Sequence, residues 1–295
     1  MITEGPAGRV AVAPRVDAAR GVDVIVRFIQ AQLEQTGFRR LVVGLSGGID
    51  SATVVFLCAR AVAVDNLLAV RMPYSSSSDA SEADALRVVE TVGCRTERVD
   101  ITPMVEPMLA QMDAPEARVA ADPLNVRRGN VMARQRMIVL YDRSAAFDAL
   151  VAGTSNKTEA LLGYGTLHGD MAAAFHPIGD LYKSQVRDVA ACLGVPQSIL
   201  DKPPSADLWP GQTDEDELGA SYAELDTILY QLVDRRWSRE RLVAAGLDAA
   251  LVDRVAARVA RYEFKRQQPP VAKLSLRTPG IDHLYPRRRP GSRRT

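Results

Sequence analysis

The chain has 295 residues, of which 47% are hydrophobic and 25% charged, and its formal net charge is +1. This composition suits one large or two small globular domains, and its charge balance, the basic end of the chain excepted, gives no reason to expect nucleic acid or an anionic membrane as partner. No apolar run reaches the ~20 residues that span a bilayer. The three cysteines, Cys58, Cys94 and Cys192, are too few and too scattered for a disulfide framework or a zinc site, which fits a reducing cytoplasm. Each lies in an apolar run and reads as a small buried hydrophobe.

Residues 1–18 lack a continuous apolar segment and read as a flexible arm, not a signal peptide. From Asp17 onward, Val22, Val24, Ile25, Phe28, Ile29 and Leu33 follow a helical period. "RLVVGL" (40–45) is a short, wholly apolar strand, and "DSATVVFLCARAVA" (50–63) a helix behind it. "NLLAVRMPY" (66–74) predicts a second strand. Serines 75–78 read as a flexible loop before a helix with apolar positions at Ala85, Leu86, Val88, Val89 and Val92. "RTERVDI" (95–101) is a third strand, followed by helices over 102–112 and 130–147 and a fourth strand in "DALVAGT" (148–154). Such alternation predicts an α/β fold, a doubly wound parallel sheet with helices on both faces and right-handed crossovers.

The remainder is helical. Residues 182–194 end at Gly194 and Pro196. Residues 213–234 read as one helix whose acidic start, Asp214 to Glu217, is a solvated face suited to the helix dipole. Two more helices cover 238–246 and 248–266. Residues 19–268 therefore form one domain with a helical C-terminal part, and 269–295 a basic, flexible tail ending "YPRRRPGSRRT".

Between the first strand and its helix stands "SGGIDS" (46–51). A glycine-rich turn at a helix start converges backbone N–H groups and the positive dipole end on one point, a site for phosphate. Gly47 and Gly48 allow close backbone approach and unusual φ angles. Ser46 and Ser51 add hydroxyls. Asp50 would repel phosphate unless a divalent cation bridges the two. The kinase-type loop needs a lysine after its last glycine and the dinucleotide fingerprint needs a third glycine, and neither is present.

"SGGIDS" resembles the pyrophosphate loop of the N-type ATP pyrophosphatases, whose fold is adenine nucleotide alpha hydrolase-like. Residues 127–141 ("RRGNVMARQRMIVLY"), 151–194, 201–226 and 262–270 ("YEFKRQQPP") resemble NAD synthetase in the family's order, so that the likeness covers about residues 20–270. The resemblance implies a ligase that forms a C–N bond. The pyridine carboxylate of deamido-NAD attacks the α-phosphorus of ATP, pyrophosphate leaves, and ammonia then displaces AMP to give NAD, with Mg²⁺ offsetting the accumulated charge.

Residue roles follow by the same resemblance. Gly44, Ser46, Gly47, Gly48, Asp50, Ser51, Arg71, Thr154, Lys183 and Ser205 would hold ATP. Asp50 and Glu159 would bind the metal. Asn130, Arg134, Arg136, Asp170 and Lys265 would contact deamido-NAD, with Arg134 and Arg136 on different helix faces. Asp50, Asp170 and Lys183 carry the catalytic roles. A lysine on the first turn of a helix opposes the dipole, so a phosphate partner explains Lys183 better than solvation. Asp207 would support the loop after Ser205, and Trp209 would cover the site or pack. Phe264 stands where some members have histidine. His168 and His176 read as loop residues.

Only about 40 residues precede the first strand, too few for a glutaminase domain, so free ammonia is the expected donor unless a separate glutaminase docks. The family is homodimeric, and the same is expected here, without nucleic acid or membrane as partner. Two rival readings carry different requirements. Another N-type ATP pyrophosphatase, amidating or thiolating a different acceptor, would bring a cysteine pair or an RNA-binding extension. A nucleotide sensor would not need Asp50, Glu159, Asp170 and Lys183 together.

Overall fold

A computed structural model of the chain describes residues 2–3, 13–112, 126–205, 213–279 and 281–282. Two short strands, β1 (Ile2–Thr3) and β2 (Arg15–Val16), pair antiparallel. The principal sheet has four parallel strands, β3 (Arg40–Gly44), β4 (Leu67–Arg71), β5 (Arg95–Arg98) and β6 (Ala149–Val151), in the spatial order β5-β4-β3-β6. The chain steps outward from β3 to β4 to β5, then crosses to the far side of β3 for β6. This reversal places a topological switch at the carboxyl ends of β3 and β6, where such sheets open a ligand crevice.

Helices cover both faces. On one lie α1 (Ala18–Thr36), α2 (Ile49–Ala61), α3 (Asp79–Val92), α7 (Lys183–Leu193) and α8 (Gln197–Leu200), packed around Leu41, Val43, Leu67, Ala69 and Leu150 of the strands. On the other lie α4 (Thr102–Met112) and α5 (Val126–Phe147), against Val42, Val70 and Ala149. β3, β4 and β6 are mainly apolar because both their sides are covered, whereas the edge strand β5 is polar and largely exposed. A third core joins α6 (Lys157–Leu162), α10 (Tyr222–Leu229), α11 (Arg239–Ala244) and α12 (Ala249–Arg261), with α9 (Asp214–Leu218) at its edge.

Several details depart from the sequence expectation. The buried stripe of α1 is Val22, Ile25, Ile29 and Leu33, while Val24 and Phe28 face out. Leu86 of α3 is exposed too. The 213–234 segment is two helices, not one: Gly219 takes a left-handed φ of 71°, Ser221 caps α10 through a reciprocal bond with Glu224, and a π turn over Tyr230–Asp234 follows. Of serines 75–78, Ser78 caps α3 by accepting the Ser81 N–H, while Ser75 and Ser76 lie in a preceding turn in which Ser77 Oγ accepts the Tyr74 N–H. Cys58 and Cys94 are buried as expected, but Cys192 is exposed near the end of α7. The arm is tied down at 14–15, where the Pro14 and Arg15 carbonyls accept from Ser184 and Gln185.

Leu57 of α2 is fully buried in the larger core. Leu57→Ala should destabilise the chain by about 2–5 kcal/mol in urea unfolding with an unchanged slope. A loss below about 1 kcal/mol would show that this helix does not pack as described.

Candidate active site

Three helix N-termini meet at the switch point. α2 begins directly after the glycine turn, with Gly48 as its cap and Asp50 in its first turn. α6 is capped by Asn156, which accepts the Glu159 N–H while the Glu159 carboxylate accepts the Asn156 N–H. α7 starts at Lys183. Acidic side chains are favourable in a first turn and a cation is not. Lys183 is nevertheless only 3% exposed. Its ammonium donates to Asp50 Oδ2 and to Glu159 Oε1, the latter at 3.1 Å. Asn156, fully buried, donates from Nδ2 to Asp50 Oδ1 at 2.9 Å. The ammonium also sits 5.0 Å from the centre of the Tyr222 ring.

The electrostatics follow from burial. Burial alone would lower the Lys183 pKa, but the Asp50 and Glu159 carboxylates beside it outweigh this and hold it above the usual lysine range. Burial pushes the Glu159 carboxyl up to about 8 against the pull of Lys183, and the charge of Asp50 pushes the same way as burial.

The glycine turn itself is fixed by close contacts. Gly47 has φ of 78°, and a Cβ there would lie 2.1 Å from the Ser81 carbonyl oxygen of α3, so only glycine fits. Ser51 Oγ donates to the Gly48 carbonyl and accepts the Ser46 N–H, and Ser46 Oγ accepts the Gly48 N–H. Gly44 closes β3, with the Met72 and Leu140 side chains 3.2 and 3.3 Å from where its Cβ would stand. Thr154 is half-buried on the turn between β6 and α6. Arg71, at the end of β4, is paired with Glu82 and donates from Nε to Thr96 Oγ1 at 3.2 Å. Ser205 is exposed.

A second cluster forms along residues 163–170. Thr166 donates its hydroxyl to Asn130 Oδ1 at 2.8 Å and its N–H to Asp170 Oδ1 at 2.8 Å. Arg134 donates to the Leu167 carbonyl, and Lys265 to the carbonyls of Gly163 and Gly165 at 2.8 and 2.6 Å. Burial lowers the Lys265 pKa, while the nearby Asp170 raises it. Arg136 turns away from this group and donates to the Met72 carbonyl at 3.1 Å, as its spacing from Arg134 implies.

A family model for NAD synthase matches residues 21–269. The chain belongs to the NAD synthase family. Among curated relatives, the NH(3)-dependent NAD(+) synthetase of Chlorobaculum tepidum is 49% identical over 264 residues, covering 90% of this chain and 92% of the relative. The solved NH3-dependent NAD synthetase of Campylobacter jejuni, in complex with the nitrate ion, aligns with a TM-score of 0.72 and 33% identity over 88% of this chain and all of that one. The NMN synthetase of Francisella tularensis aligns with a TM-score of 0.75 and 30% identity over the same shares.

In this NAD synthase-family chain, several partners escaped sequence reasoning. Asp226 of α10 is fully buried, accepts the Thr158 hydroxyl at 2.6 Å and accepts the Ser184 N–H at 2.8 Å. Thr158 Oγ1 in turn accepts the Lys183 N–H at 3.0 Å. A carboxylate from a distant helix thus serves α7, whose own cap residue, Tyr182, makes no side-chain cap bond. Asp214, expected on a solvated face, is 4% exposed and accepts the hydroxyls of Tyr164 and Tyr222 at 2.9 and 3.0 Å. Asn156 had a readable signal, the N-x-x-E capping pattern. Asp226 had none, because its partners lie 42 and 68 residues away. His168 is an exposed loop residue with φ of 60°. His176 is lodged against Gly153, its Nδ1 without a hydrogen bond. Phe264 is exposed, and Asp207 and Trp209 lie outside the described residues.

Two predictions follow from this geometry. Thr158→Val removes a donor to Asp226 and an acceptor for α7, and should cost about 1–3 kcal/mol in thermal unfolding, with Thr158→Ser near wild type. Equal melting of all three proteins would remove the node from the account. The second concerns pH. Because the folded-state pKa of Glu159 is raised, its proton stabilises the fold fully below the ordinary 4.5, and this contribution is lost as pH rises to about 8. Glu159→Gln, which cannot ionise, should therefore exceed wild type in urea midpoint by a wider margin at about pH 8.5 than at about pH 5. A margin that is flat or narrows would contradict the assignment.

Proposed function

We propose that the chain converts deamido-NAD to NAD with ATP and ammonia, and that the two clusters divide the substrates. The observation that carries this reading is the convergence of the glycine turn, Asp50, Glu159 and Lys183 on one point in a chain of the NAD synthase family. The turn and the start of α2 offer backbone N–H groups to the pyrophosphate end of ATP, which leaves the α-phosphorus open to a carboxylate. Lys183 supplies a buried cation to the same phosphates. In this reading Asn130, Arg134, Asp170 and Lys265 bind the dinucleotide, and the Asp170 carboxylate holds the incoming nitrogen.

Magnesium fits the donor set. No group of three or more His, Cys, Asp or Glu residues among the described residues could hold a metal. Mg²⁺, however, is commonly bound by one or two carboxylates completed by substrate phosphates, and Asp50 and Glu159 are such a pair. When bound it would screen the charge that builds up as two anions meet. The exposed side chains of Met104 and Met108 on α4 and of Ile138 and Tyr141 on α5 support a homodimer, with α5 also carrying Asn130 and Arg134. No described helix is long and apolar enough to cross a membrane, which is compatible with a cytoplasmic site of action.

Incubation with ATP, Mg²⁺, ammonium and deamido-NAD should yield NAD and AMP in equal amounts. ADP as product would exclude adenylation. Asp50→Ala should lower turnover by about a hundredfold or more while still unfolding cooperatively. Because one matched structure is an NMN synthetase, nicotinate mononucleotide belongs in the same assay. A preference for it would replace the dinucleotide as substrate and leave the chemistry intact.

A further inference from the structure

We propose that Lys202 and Asp84 are positioning residues for the nucleotide, fastening the segment that leads to Ser205 onto α3 and, through it, onto the glycine turn. This rests on the reading of that turn as the ATP site. Neither residue was singled out by sequence.

The N-terminal half of α3 touches three separate parts of the site. Its Ser81 carbonyl packs so closely on Gly47 that no side chain fits there. Its Glu82 pairs with Arg71. Its Ser81 hydroxyl and Asp84 carboxylate receive the Lys202 ammonium, at 2.9 Å and 3.5 Å. Asp84 is 4% exposed and also accepts Ser198 Oγ at 2.9 Å and Arg87 Nη1 at 2.8 Å. The carboxylate is therefore fixed by its own neighbours, independently of Lys202.

Lys202 is only partly buried, and an isolated ion pair of that kind adds little to stability. Its position in the chain gives it another use. Two prolines, Pro203 and Pro204, separate it from Ser205. Their locked φ angles make the connection stiff, so anchoring Lys202 restricts where Ser205 can lie. The Pro204 carbonyl also accepts the Asp214 N–H at 3.1 Å, so loss of the Lys202 anchor loosens the segment rather than releasing it, and ATP binding bears part of the cost of ordering it.

The test is Lys202→Met, with Lys202→Arg as the conservative control and Asp84→Asn as a second variant. ATP affinity is measured by calorimetry in the absence of turnover, together with KM for both substrates and the melting temperature. The expected result is a rise of about tenfold in Kd and KM for ATP. KM for deamido-NAD and kcat should stay within about twofold, melting should be unchanged, and Lys202→Arg should restore most of the affinity. Asp84→Asn should show the same split. Wild-type ATP affinity in Lys202→Met overturns the proposal, as does a parallel rise in KM for both substrates with lowered melting, which marks a purely structural role. If the wild-type chain itself binds no ATP, the nucleotide-site reading fails first and the proposal with it.

Discussion

The structure depends on one buried charge arrangement, an ammonium held between two carboxylates where three helices begin. Lys183 stands at the start of α7, against its dipole, and is almost wholly removed from water. A lone cation could not remain charged there. Asp50 and Glu159 make it tolerable, and both lie in first turns where the dipole favours a negative group. Removing Lys183 would leave the two carboxylates facing each other uncompensated in a closed site. Such an arrangement is weak evidence for stability, since apolar side chains of the same volume would cost less. Its retention points to chemistry that needs charge at this place.

The helices that carry the cluster are held by polar groups drawn from elsewhere. Asp226 binds Thr158 of α6 and the first turn of α7 at once, so the separation of Glu159 and Lys183 is set from α10. The C-terminal helices thereby take part in the site, and Tyr222 of α10 lies directly against the Lys183 ammonium. On the other side α3 abuts Gly47 and holds Arg71 through Glu82. The glycine turn lies between these two supports. The adenylation proposed above would need such rigidity, because small displacements of reacting groups are costly.

Much of the fold was legible in the residues. The apolar strands 40–45 and 66–74, the turn 46–51 and the helix caps are local signals, readable from spacing and residue type. The family resemblance brought Asp50, Glu159 and Lys183 forward as candidates, and the structure brings all three within contact. Local reading failed where burial overrode composition. The acidic run at 214–217 resembles a solvated face, yet Asp214 is buried under two tyrosine hydroxyls. The 213–234 segment has continuous helical composition, but Gly219 in a left-handed turn divides it.

The sequence by itself determined the alternating fold class and the glycine turn, because strand, turn and cap chemistry act over a few residues, whereas Asp50, Glu159 and Lys183 were named as a set by the family resemblance. Only the tertiary structure decided which of those groups meet. Asp50 and Lys183 are 133 residues apart, and Thr158 and Asp226 are 68 apart. Contacts at that range are fixed by how helices pack on a parallel sheet, through burial and dipole orientation that no local pattern encodes.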